Sequence, residues 1–187
     1  MGIGTWLAFV ALTGGSIRAE AQGKAAQPVV LVCMTSSEPG VLQAHSIASK
    51  MFDEIGITIR WLGEAKACRL ESGPVIEIQV TKSQATRHDA GPLARAWEYE
   101  GTRIEVFYEQ VRKRIGPPRL PLLLGHVLAH EIAHILQGID IHTESGVMKA
   151  QWDQRDFDRM AWKPFSFTDR DAKLILMGLA KRGAPSH

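Results

Sequence analysis

The sequence predicts an α+β domain: a sheet with a helix packed on one face, followed by a half made of helices and loops. Three observations predict it. Strand-like apolar patterns recur between residues 29 and 109 around one helical pattern, a long apolar helix fills 120–136, and a capped amphipathic helix closes the chain after Thr168.

In chain order, Val29 to Cys33 is a continuous apolar run with β-branched residues, the mark of a buried strand. Ser36 and Ser37 before Pro39 signal a helix start, and Ala44, Ile47, Ala48, Met51, Phe52 and Ile55 follow at helical spacing to Gly56. Ile57, Ile59 and Trp61 then alternate with polar residues, as do Ile76, Ile78 and Val80, giving two more strands. A further strand is expected over 104–109, where Ile104, Val106 and Tyr108 share a face. Pro117-Pro118 breaks the chain. Leu120 to Leu136 is apolar almost throughout, a buried helix ending at Gly138, and the stretch with Trp152, Phe157, Trp162, Phe165 and Phe167 reads as irregular. The last helix has Thr168 as N-cap, Asp171 at the capping-box position, a core stripe of Ala172, Ile175, Leu176 and Leu179, and Gly183 past its end.

The 187 residues are 45% hydrophobic and 22% charged, which fits one substantial globular domain. A net charge of +2, with no basic run interleaved with aromatics, argues against nucleic acid or an anionic membrane surface as partner. The apolar stretch from Ile3 to Ile17 is shorter than the roughly 20 residues of a membrane span, and Ala19-Glu20-Ala21 follows it, the pattern signal peptidase accepts. The expectation is a signal peptide at 1–21 and a single exported domain at 22–187, periplasmic or secreted, with no stable membrane insertion after cleavage. Within it, 22–138 would hold the sheet and the long helix, and 139–187 the rest. An uncleaved anchor is the other reading. Seven residues between Ala21 and Val29 leave no room for a propeptide domain. Cys33 and Cys68 form no CxxC pair; in an exported chain they are expected to pair, closing a loop worth roughly 3–4 kcal/mol, against the alternative of two buried thiols.

Four of the seven histidines lie between 126 and 142. His130-Glu131-Ile132-Ala133-His134 is an HExxH, which chance would produce roughly 0.02 times in a chain of this length and composition. Residues four apart project from one helix face about 40° apart, so both imidazoles can meet one ion, while Glu131 on the turn between them can act as general base on a water activated there. Two histidines and a glutamate on an otherwise apolar helix are costly unless something satisfies them. Zinc is the expected metal, and an open zinc site needs a third protein ligand. His142, four residues past the turn at Gly138, is the natural candidate, with Asp140 and Glu144 behind it. His126 points about 80° away from His134 and reads as a core or supporting residue. His45 and His88 read as surface or internally satisfied.

The run HEIAHILQGIDIH, followed by Ser145-Gly146-Val147-Met148, resembles the metzincin zinc proteases, whose pattern is HExxHxxGxxH with a downstream methionine turn. The resemblance implies a compact metzincin-like domain: a twisted mixed sheet with a packed helix, a buried active-site helix, a methionine turn and a C-terminal helix. By it His130, His134 and His142 are zinc ligands, Glu131 the catalytic base and Met148 the turn methionine. The spacing departs, with one extra residue on each side of the glycine, which leaves Asp140 at the usual third-ligand offset. Gly91 to Trp97 is similar to the edge strand of matrixin-type members, implying that Leu93, Ala94, Arg95 and Ala96 bind a peptide substrate; Arg95 replaces a histidine that can bind structural zinc there, so no such site is expected.

The expected function is a zinc-dependent peptidase, an endopeptidase, acting on a peptide or protein that adds a strand at that edge. A non-catalytic zinc protein and a metal-dependent hydrolase of a non-peptide bond are the alternatives. Trp152 reads first as a core residue and second as a wall of the substrate pocket.

Overall fold

A computed structural model describes residues 27–71, 73–82, 91–97 and 101–183. The expected signal peptide and His88 lie outside them. The elements are β1 (Val29–Cys33), α1 (Val41–Asp53), β2 (Thr58–Leu62), α2 (Ala65–Leu70), β3 (Val75–Thr81), β4 (Ala94–Trp97), β5 (Arg103–Phe107), α3 (Tyr108–Ile115), a 3-10 turn (Pro117–Arg119), α4 (Leu120–Gln137), α5 (Gln154–Trp162) and α6 (Asp169–Gly183).

One sheet in the order β2-β1-β3-β5-β4 carries the first half. Its first four strands run parallel, and β4 pairs antiparallel with β5 at one edge. The alternation read from the sequence sets its two faces. Val32, Ile59, Ile76, Ile78, Ile104 and Val106 are buried, whereas Arg60, Glu77, Gln79 and Arg103 on the other face are exposed. α4 packs between α1 and α6 and also meets β4, so one apolar helix forms the centre of the core.

Several expectations are corrected. α1 begins at Val41 after Gly40, not behind Ser36 and Ser37, because Ser36 Oγ closes a local turn by accepting the Glu38 N–H at 3.2 Å. The strand expected over 104–109 stops at Phe107. From there Tyr108, Val111 and Ile115 have helical spacing, and the Tyr108 hydroxyl donates to Pro39 O at 2.9 Å. The stretch expected to be irregular contains α5, capped by Asp153 and Asp156, whose side chains reciprocally accept each other's backbone N–H. In α6 the Thr168–Asp171 box forms as expected, but Leu176 is 42% exposed and drops out of the core stripe, and Gly183 is the helix's last residue. α2 buries no residue and gave no apolar pattern to read.

Cys33 and Cys68 are disulfide-bonded, fastening α2 to the end of β1 across 35 residues of sequence.

Candidate metal centre

α4 is long enough to carry the HExxH at its buried end, and Gly138 ends it with φ 67°, its N–H bonded to His134 O at 2.9 Å. That left-handed conformation favours glycine and turns the chain back over the helix. The loop that follows supplies what orients the rings. His130 Nδ1 lies 2.8 Å from Val147 O, and His134 Nδ1 lies 3.3 Å from Ile139 O. A carbonyl only accepts, so each Nδ1 carries the proton and each Nε2 presents a lone pair. The two Nε2 atoms face each other at 3.0 Å. Two lone pairs at that distance repel, and a cation held by both removes the repulsion. Burial, reinforced by neighbouring His134, lowers the pKa of His130 to about 3, which favours the neutral form a metal needs.

The His142 ring centroid stands 5.2 Å from that of His130 and 4.8 Å from that of His134. One nitrogen from each of the three lies within 4.8 Å of the others, the group among the described residues able to hold a metal ion. A tetrahedral zinc with nitrogens at about 2.0–2.1 Å separates its ligands by roughly 3.3 Å, so the donor set fits after a small inward movement of the exposed His142. Asp140 lines the same cleft with its carboxylate 3.6 Å from His142 Nδ1, and it stands outside this group of three. Glu144 is exposed on the next turn.

These histidines and Glu131 open on a cleft of about 640 Å³, walled on one side by Leu93 to Ala96 and on the other by Trp152 and Phe157. Phe107 N–H donates to Leu93 O at 2.9 Å, and pairing continues as Arg95↔Glu105. Antiparallel alternation therefore turns the backbone groups of residues 93, 95 and 97 toward β5 and those of Ala94 and Ala96 toward the side of β4 that no other described strand pairs. Met148 is fully buried in the loop that presents Val147 to His130, where Thr143 N–H donates to Met148 O at 2.9 Å.

The remaining nominated residues are also located. Trp152 is half-buried, donates its indole N–H to Gly146 O at 3.3 Å and sets its ring edge-on to His130 at 5.5 Å, so it packs and lines the cleft at once. His126 is fully buried with both nitrogens engaged, Nδ1 with Leu122 O at 2.8 Å and Nε2 with the Phe165 N–H at 3.0 Å. His45 stacks on Trp61 at 3.8 Å with Nε2 3.2 Å from Met34 Sδ, an internally satisfied residue as expected. The carbonyls of Ile139 and Val147 were not foreseen; no residue type marks a backbone acceptor in sequence.

Fold and site together define a mixed α+β domain able to hold a metal ion between a buried helix and the loop that follows it. A solved structure sharing this fold is the crystal structure of archaemetzincin from Methanopyrus kandleri. The alignment covers 84% of this chain and 98% of that one, with a TM-score of 0.52 and 17% sequence identity. No family model and no curated protein matches the chain.

Proposed function

We propose that this protein is an exported zinc-dependent peptidase, with His130, His134 and His142 as ligands and Glu131 as general acid–base. The observation that carries the proposal is the pair of carbonyl-oriented imidazoles with their lone pairs converging at the floor of a cleft bordered by β4, the edge strand of the described sheet. The fold shared with an archaemetzincin supports it, and the disulfide is compatible with export.

A zinc ion bound there supplies Lewis acidity toward a carbonyl oxygen and toward water. The protein's own groups do the rest. The edge groups of Ala94 and Ala96 pair with an extended peptide and hold it across the cleft. Glu131, one residue after His130 on the same helix, takes the proton of the attacking water and delivers it to the leaving amine nitrogen. Trp152 and Phe157 exclude water from the wall opposite the strand. Met148, as the methionine of the turn, keeps the Val147 carbonyl in place under His130.

Metal content and hydrolysis of a mixed peptide library, measured on wild type and Glu131→Gln, test this reading. Stoichiometric zinc in both, with hydrolysis in wild type reduced at least about 100-fold in the variant, is the expected result. Zinc in both with hydrolysis in neither would make the centre structural.

A further inference from the structure

The zinc reading leaves His126 unused, although it is a fully buried imidazole one turn before His130 on the same helix. Its hydrogen bonds show what it holds. The Phe165 N–H can only donate, so Nε2 accepts it, and Nδ1 must carry the proton it gives to Leu122 O. The next residue of that segment, Ser166, offers its carbonyl to the Val147 N–H at 3.3 Å. The carbonyl of the same Val147 receives the His130 Nδ1 proton at 2.8 Å. The path therefore leaves α4 at His126, crosses a two-residue strap and one turn residue, and returns to α4 at His130. Phe165 and Trp152 close around the His126 ring edge-on at 5.5 and 6.0 Å.

We infer that His126 is a positioning residue, which fixes the tautomer and direction of the His130 ligand through the Phe165–Ser166 strap and the Val147 peptide. It touches neither metal nor substrate. Its acceptor nitrogen holds the strap, the strap holds the turn, and the turn carbonyl holds the proton on Nδ1 so that Nε2 stays free to coordinate. The inference rests on the zinc reading of His130.

Two variants separate the acceptor from the bulk of the ring. In His126→Gln the amide oxygen reaches the place of Nε2 and can still accept the Phe165 N–H; in His126→Asn it falls one bond short. Zinc affinity by competition with a chromophoric chelator, and the visible spectrum of the Co²⁺-substituted protein, are read on samples whose circular dichroism matches wild type. The Asn variant is expected to bind zinc about 10- to 100-fold more weakly with an altered Co²⁺ spectrum, and the Gln variant to stay within about fivefold of wild type with the spectrum retained. An Asn variant with wild-type affinity and spectrum, or equal losses in both variants, overturns the positioning role while leaving the zinc reading intact. If the Asn variant does not fold, the Gln variant decides, retention supporting the role and loss overturning it. A wild-type protein that takes up no zinc overturns both.

Discussion

Burial lowers the pKa of His45 and of His126 from 6.5 to about 4, in His126 against an opposing hydrogen bond to Leu122 O. Between those values the unfolded chain binds protons that the folded one refuses. The stability these residues contribute is thus fully present above about pH 6.5 and is lost as pH falls toward 4. Urea midpoints of the metal-free protein should fall steadily over that interval, and His126→Gln should flatten part of the slope. An unchanged slope in the variant would mean that His126 is protonated alike in both states. Residue types were legible here to the extent that direction on a helix is arithmetic. The 80° offset set His126 apart from the candidate ligands, and four-residue spacing joined His130 to His134. Where His142, Asp140 and Glu144 come to lie was not legible, because the loop's path past Gly138 follows from the bonds of Thr143 to Met148 O and to Asp171 of α6 and not from local spacing.

Among the elements, α4 is constrained most tightly where α6 crosses its end. A Cβ on Gly178 would stand 1.9 Å from Leu136 O, a backbone atom that cannot swing aside. Gly178→Ala should therefore cost about 3 kcal/mol, the upper end for overpacking, read from chemical denaturation, as the helices are forced apart. A near-neutral variant would show that they separate freely. β2, β3 and α6 were readable because strict periodicity marks one buried face, and β1 and α4 because an unbroken apolar run marks an element buried in the core. α3 and α5 were hidden for different reasons. Tyr108 continues the alternation of β5 while also opening a helical stripe with Val111, and the aromatics around Trp162 obscured the Asp153–Asp156 box that starts α5. Trp162 itself is 93% exposed, so its substitution by serine should shift stability by no more than about 0.5 kcal/mol.

At the scale of the molecule two separate ties act on two halves. The disulfide closes 35 residues within the sheet half, and Cys33→Ser with Cys68→Ser should cost about 3–4 kcal/mol in the chain-entropy account. Metal binding would tie α4 to the loop carrying His142, so zinc at about 100 times its dissociation constant should add about 2.7 kcal/mol and raise Tm, and a chelator should reverse it. A Tm indifferent to zinc would speak against the centre. The strap at Phe165–Ser166 has a consequence for timing. A ribosome delivers the five strands, both cysteines and all three clustered ligand candidates before it delivers the segment bonded to His126 and Val147. The growing chain thus owns the candidate ligands His130, His134 and His142 before it owns the strap that would aim His130, and a chain cut short before Phe165 would carry the full motif without that support.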